Sequence, residues 1–215
     1  MNNLQKIGGI AALVNAFAYV VGFGMVATLL APITEAKPEQ YLAFMVNNQL
    51  LMVIWNIIIY LMTGVFIVPL ALALHARLNN KTLAWTQITT AFGLIWATTI
   101  ICSGMVIINN IGIVAHLYSQ DPTRATTVFL ALTAIEKGLG GAIELPGGLW
   151  ILLVSWTALP TNKLPKFLNY LGMVIGVSGI LTVLPFLSQA AYVFGLAAIL
   201  WFIWVGITML RGPTS

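Results

Sequence analysis

Glu144 is the acidic residue best placed for chemistry, because long apolar stretches flank it and small residues precede it. In one continuous helix its side chain leans towards Gly140 and Gly141, which would leave a notch beneath the carboxyl group. Pro146 lacks an N–H, so it would free the carbonyl of Ala142 to face the same region. A carboxylate beside a free carbonyl is suited to bind a proton, a small cation or the amine of a ligand.

A second interpretation of the same residues is structural. The glycines would admit a neighbouring helix, and Glu144 would form an interhelical hydrogen bond with Asn56 or Asn110. Polar side chains inside a membrane are costly, so each one is a candidate ligand-binding residue. Counting the helical rise from the span ends puts several of them near the depth of Glu144. With Glu144, the candidate set is Asn56, Asn109, Asn110, Lys137 and Trp150.

Two of these candidates have simpler explanations. Lys137 lies two turns before Glu144, and a lysine there is expected to extend its ammonium group to the outer lipid headgroups. Trp150 is deep enough in its apolar run to line a cavity, but packing in the protein core explains such a tryptophan equally well.

The composition requires these residues to be positioned by helices in a lipid bilayer. Hydrophobic residues make up 60% of the 215 and charged residues 7%, whereas a soluble domain has about a quarter of its residues charged. A bilayer core about 30 Å thick takes roughly 20 apolar residues per helix. We therefore predict an all-α membrane protein, a single transmembrane domain over residues 1–215 with about six spans.

The apolar runs and the turn residues between them give the span boundaries. Asp121 and Pro122 predict a helix start outside the membrane core, since Asp can cap free amides and Pro fits the first turn. Residues 38–48 are either a short amphipathic helix on the outer surface or an extension of the second span. The predicted spans are 7–30, 50–74, 83–113, 136–159, 165–186 and 189–210.

The distribution of Lys and Arg predicts the orientation, because positively charged loops stay in the cytoplasm. With the N-terminus inside, the outer side carries Lys37 and Arg124, and Lys137 falls near the outer boundary. The cytoplasmic side then carries the larger set, Lys6, Arg77, Lys81, Lys163, Lys166 and Arg211. We therefore predict that both termini lie in the cytoplasm.

Several functional classes do not fit this sequence. The nine Lys and Arg residues are scattered singly, so no basic face for nucleic acid exists. Cys102 is the only cysteine, and His75 and His116 fall at opposite membrane boundaries, so we expect no metal site and no cofactor. Catalytic dyads and phosphate-binding loops are missing, which disfavours an enzyme and an ATP-driven pump.

Three segments of the C-terminal half resemble a known family. They are Glu144–Trp150 (ELPGGLW), residues 164–172 (LPKFLNYLG) and residues 201–204 (WFIW). Together they resemble a family of small bacterial membrane proteins known only as a domain of unknown function. The resemblance implies six helices in the bacterial cytoplasmic (inner) membrane and assigns no activity.

Two functions remain open on these grounds. The first is a transporter with an outward-facing polar pocket around Glu144 for a small molecule, a proton or a cation. Because six spans are few for alternating access, this function favours a homo-oligomer. The second is a non-transporting binding, sensing or accessory subunit that accommodates a lipid-like ligand or a partner helix along its glycine faces.

Overall fold

The computed structural model describes residues 3–78, 83–141 and 143–211, and every regular element in these ranges is helical. Widened π-type turns occupy Ile57–Met62 and Lys137–Gly141. The prediction of an all-α membrane bundle is confirmed. The α-helices are α1 Asn3–Ala27, α2 Pro38–Asn47, α3 Gln49–Asn56, α4 Thr63–Leu78, α5 Leu83–Tyr118, α6 Pro122–Glu136, α7 Leu145–Ala158, α8 Lys166–Leu181 and α9 Ala190–Leu210.

Five stretches are long and apolar enough to cross a bilayer, and one of them, Pro122–Thr161, is counted across the break at Gly140 and across residue 142, which lies outside the described residues. Each has at least 21 residues, and about 20 are needed. A further apolar helix, α8, has 16 residues, or about 24 Å at the helical rise. The five stretches are Asn3–Ala27, Gln49–Leu78, Ala84–Tyr118, Pro122–Thr161 and Ala190–Leu210.

The main core of the bundle is built around three buried tryptophans. The ring centroids of Trp96 and Trp150 are 5.5 Å apart, and those of Trp150 and Trp201 are 5.8 Å apart. All three side chains are at most 1% exposed. The helices α1, α4, α5, α7, α8 and α9 contribute the surrounding aliphatic residues.

Glycines let α7 and α8 approach each other closely. In the sequence, Gly172, Gly176 and Gly179 follow the i, i+4, i+7 spacing of one helix face, which predicts close helix packing, more often within a chain than between chains. This stripe of α8 faces α7, so close packing within the chain is confirmed. A Cβ atom added to Gly148 would lie 2.7 Å from the carbonyl oxygen of Gly176. The two backbones are therefore in direct contact.

A second, smaller core lies at the end of the bundle where α2 and the α5–α6 connection meet. We call this part the cap; it comprises α2, α3, the C-terminal half of α5, and α6. Its buried residues include Leu42, Met45, Met52, Ile111 and Val114. Because α5 has 36 residues, or about 54 Å at the helical rise, it extends beyond a membrane core of about 30 Å.

Residues 38–47 form a helix separate from the second span. Pro38 occupies the first turn, and the Gln40 side chain accepts a hydrogen bond of 3.2 Å from the N–H of Lys37. Asn48, with φ −128° and ψ 38°, interrupts the helix before α3 begins. A short helix separate from the second span is thus confirmed, and the alternative of an extended second span is wrong. Its place on the outer surface stays a prediction.

The fourth predicted helix is interrupted, which corrects the expectation of an unbroken helix through Glu144. It begins as predicted, with Asp121 accepting a 3.0 Å hydrogen bond from the N–H of Arg124. Gly140 then adopts φ +114°, a conformation that side chains other than hydrogen rarely tolerate. The α-helix resumes at Leu145 with Glu144 as its N-cap residue.

The interruption removes the notch and the freed carbonyl expected near Glu144. Pro146 lies in the first turn of α7, where its missing N–H leaves no carbonyl without a partner. Ala142, whose carbonyl was expected to be free, lies outside the described residues. Gly140 and Gly141 therefore end a helix, and they do not form a notch on the surface of a continuous helix.

Candidate functional site

A cavity of about 330 Å³ lies in the cap, between α2, α3, α5 and α6. Ligand pockets in proteins usually measure about 300–1,000 Å³, so this one suits a small molecule. Its wall is mainly aliphatic and aromatic, with a few polar side chains. The lining residues are Ala36, Pro38, Tyr41, Met45, Met52, Trp55, Asn56, Tyr60, Ile107, Asn110, Ile111, Val114, Phe129, Leu130, Leu132, Thr133, Glu136 and Lys137.

Glu136 supplies the carboxyl group of this cavity. It is the last residue of α6, and its Oε1 accepts a hydrogen bond of 3.3 Å from the hydroxyl of Tyr60 in the first π-type turn. The backbone carbonyl of Glu136 also accepts a 3.5 Å hydrogen bond from Ser103 Oγ on α5. Contacts with two other helical segments therefore fix the end of α6 and its carboxyl group.

Asn56, one turn before Tyr60, adds a hydrogen-bond acceptor to the same wall. Its side chain is 1% exposed, and its Nδ2 donates a 2.7 Å hydrogen bond to the carbonyl of Met52. That bond orients the amide, and the opposite atom, Oδ1, has no hydrogen-bond partner among the described residues. Buried polar atoms are nearly always hydrogen-bonded in proteins, so this oxygen is available to a ligand.

The aromatic residues of the cavity come from α2, α3, α6 and the first π-type turn. Tyr41 and Phe129 stack with centroids 5.4 Å apart and an interplanar angle of 23°, and Trp55 lies nearby on the wall. Burial raises the pKa of Tyr41 to about 12, with a further contribution from the charge of Glu136. The Tyr41 hydroxyl therefore stays protonated at neutral pH.

Three of the predicted site residues line this cavity, namely Asn56, Asn110 and Lys137. Asn110 is partly buried on α5, whereas Lys137 is exposed and lies at the edge of the cavity. Lys137 is close enough to interact electrostatically with Glu136. Asn109 is exposed and not part of the wall, since neighbouring residues of a helix point about 100° apart.

Glu144, the residue expected to centre the pocket, lies outside this wall. Its N–H donates a 2.8 Å hydrogen bond to the hydroxyl of Thr182 on α8, and its carbonyl accepts a 2.7 Å bond from Gly148. Its carboxyl group lies within electrostatic range of the hydroxyls of Tyr19 and Tyr60. Among the described residues the expected hydrogen bond between Glu144 and Asn56 is not formed, and Asn56 instead donates to the carbonyl of Met52.

Trp150, the remaining candidate, lies in the main core of the bundle. Its side chain is fully buried against Trp96 and Trp201, and the backbone of Gly93 packs against its indole nitrogen. No part of the cap cavity reaches it. Its position is that of a packing residue.

The sequence did not indicate Glu136, Tyr60, Tyr41 and Phe129 as wall residues. Because the fourth span was predicted to begin at residue 136, Glu136 was expected to be solvated near the outer headgroups. Helical periodicity does carry a signal for two walls of the cavity. The wall residues of α5 are 107, 110, 111 and 114, and all those of α6 except Leu130 are 129, 132, 133 and 136. Both sets follow the i, i+3, i+4, i+7 spacing of one helix face.

Comparison with known protein families, curated proteins and solved structures gives no match to this chain. The resemblance of residues 144–204 to a family of six-span bacterial proteins therefore stays a prediction. A function for this protein is therefore inferred from its own residues and their geometry.

Proposed function

We propose that this multi-pass membrane protein binds a small, largely apolar molecule in the cap cavity beside Glu136. The single observation that supports this proposal is the cavity of about 330 Å³ with an aromatic and aliphatic wall and a carboxyl group held by Tyr60. A residue at an ordinary helix contact would be packed closely by its neighbours. A retained space with a few oriented polar groups is typical of a ligand site.

We further propose how the chain lies in the membrane. The six spans are α1, the continuous α3–α4 stretch, α5, α7, α8 and α9, in one domain with both termini in the cytoplasm. The helices α7, with 14 residues, and α8, with 16, are shorter than the other spans. We include α7 because it packs against α5 and α8, and α8 because it packs against α7 and α9 and carries the glycine stripe. The cap and its cavity then face the outer side of a bacterial cytoplasmic membrane.

This orientation predicts the accessibility of single cysteines introduced after replacement of Cys102. A Lys37→Cys variant should react with a membrane-impermeant maleimide on intact cells, and an Asn162→Cys variant should react only after permeabilisation. Both residues are exposed, so burial does not account for a difference. Labelling of both variants from the same side would contradict the proposed arrangement. Residues 79–82, which connect α4 and α5 and are also expected on the cytoplasmic side, lie outside the described residues.

Filling the cavity is the direct test of ligand binding. Thr133 lines the cavity, whereas Thr127 is an exposed residue of the same helix outside it. We expect Thr133→Trp to weaken binding of 3-phenylpropylammonium, a probe of suitable size, at least about tenfold, because the indole occupies the space the probe needs. Thr127→Trp should bind like the wild type. The measurement is the probe-induced rise in Tm in lipid nanodiscs.

Transport of the bound molecule is a second candidate function, favoured by one observation. The helix break around Gly140 and the two π-type turns lie next to the cavity, and interrupted helices beside a binding site are typical of transporters. Flux of the same probe into proteoliposomes, lost in Thr133→Trp and kept in Thr127→Trp, supports transport. Binding without flux supports a sensing or accessory role.

A further inference from the structure

We infer that the molecule held in the cap cavity carries a protonated amine, with its N–H groups facing Glu136 and Asn56 and its apolar part among the aromatic residues. This inference rests on the proposed function, because it specifies the chemical class of the ligand that the same cavity binds. Three features of the cavity wall support it: hydrogen-bond acceptors without donors, the acidic group of Glu136, and the faces of the aromatic rings.

The first feature is the surplus of hydrogen-bond acceptors. Among the described residues, the Glu136 carboxyl receives one hydrogen bond, from Tyr60, whereas a carboxylate has about four acceptor positions. The buried Oδ1 of Asn56 receives none among the described residues, and its amide is oriented by the bond to Met52. The buried Oδ1 of Asn56 and the partly buried carboxyl group of Glu136 both line the cavity, and an ammonium group offers them up to three N–H donors.

The second feature is the charge of the wall. The titratable groups facing Glu136 are Tyr60 from the first π-type turn, Tyr41 from α2 and Lys137 beside it. The two tyrosines are neutral hydrogen-bond donors, and Lys137 is exposed at the edge of the cavity. Glu136 therefore supplies the acidic group of the inner wall, and its carboxylate would form a charge-assisted hydrogen bond with a cation inside the cavity.

The third feature is the aromatic surface around the remaining space. Tyr41, Phe129 and Trp55 line the cavity, and the faces of such rings attract cations within about 6 Å. The same rings pack well against an alkyl or aryl group. The wall therefore accepts both parts of a lipophilic amine.

Three probes of equal size separate the contribution of charge from that of shape. They are 3-phenylpropylammonium, 3-phenylpropan-1-ol and 3-phenylpropionate, each titrated against the whole protein in phosphatidylcholine nanodiscs, with protein-free nanodiscs subtracted. We expect the ammonium probe to bind at least about tenfold more tightly than the alcohol, and the carboxylate to bind most weakly, because charge-assisted hydrogen bonds are roughly twice as strong as neutral ones.

A matched pair of variants assigns that preference to one carboxyl group. Glu136→Gln should reduce the ammonium-to-alcohol ratio to within about threefold of unity, since it removes the charge and keeps the shape. Glu39→Gln removes the same charge from an exposed position of α2 outside the cavity and should leave the ratio unchanged. Asn56→Leu should lower ammonium affinity more than alcohol affinity.

The outcomes distinguish this inference from the function on which it rests. If the alcohol or the carboxylate binds as tightly as the ammonium probe, or if Glu136→Gln keeps the preference, the inference is overturned and the cavity remains a ligand site. If none of the three probes binds, the proposed function fails and the inference with it. If Glu136→Gln does not fold, the order of affinities of the three probes for the wild-type protein still tests the inference.

Discussion

Gly148→Ala is expected to destabilise the bundle by about 3 kcal/mol, at the upper end of the range for an overpacked site. The added methyl group would lie 2.7 Å from the carbonyl oxygen of Gly176 and 2.8 Å from the backbone nitrogen of Ile180. Backbone atoms cannot rotate away as a side chain does, so α7 and α8 must separate. The loss of their contact is measured as a lower Tm or a lower free energy of unfolding in detergent or nanodiscs.

The control for this prediction is a glycine with free space around it. A methyl group added to Gly112 of α5 or Gly24 of α1 meets no atom within 4 Å. In a helix, Ala is more favourable than Gly by about 0.5–1 kcal/mol, so Gly112→Ala and Gly24→Ala should be neutral or stabilising. Equal stability of Gly148→Ala and the controls would show that α7 and α8 do not pack as described.

Trp150→Ala is expected to cost about 3–5 kcal/mol of stability, the usual loss for a large aromatic residue removed from a core. Trp150 has no exposed surface and contacts Trp96 and Trp201, so its removal leaves a void that these rings cannot fill. Binding of 3-phenylpropylammonium by the folded fraction should be unchanged, because Trp150 lies outside the cap cavity.

Trp156 provides the matched comparison on the same helix. It is 62% exposed, so Trp156→Ala should change stability by less than about 1 kcal/mol. Thermal unfolding and probe titration of both variants check the prediction. Loss of binding in Trp150→Ala with unchanged stability would move the ligand site from the cap to the tryptophan core.

The fold class could be predicted from the sequence because lipid and water impose different compositions. Few charges and long apolar runs leave helices in a bilayer as the main solution. Local signals also held where they act within a few residues, as in the Asp121 cap, the short helix at residues 38–47 and the glycine stripe on α8.

The break before Glu144 could not be predicted, because glycine permits two conformations with opposite consequences. In a continuous helix, Gly140 and Gly141 would form a notch; at φ +114°, Gly140 ends the helix. The choice depends on tertiary contacts such as the hydrogen bond from Glu144 to Thr182, 38 residues away. Such a pairing leaves no local mark in the sequence.

The site itself was only partly predictable for a related reason. Asn56, Asn110 and Lys137 were found from polarity and depth, but Glu136 was placed among headgroups because the fourth span was expected to begin there. In the structure α6 packs along α5, and Tyr60 approaches Glu136 from another segment. Periodicity marks the faces of α5 and α6, but it does not say which faces meet.

The most direct test of a ligand site in the cap is an experimental density map of the protein purified with 3-phenylpropylammonium. We expect density for the probe between α2, α3, α5 and α6, with the probe's nitrogen within hydrogen-bond distance of the Glu136 carboxyl and Asn56 Oδ1. A filled site beside Glu144 and Tyr19, with an empty cap cavity, would contradict it.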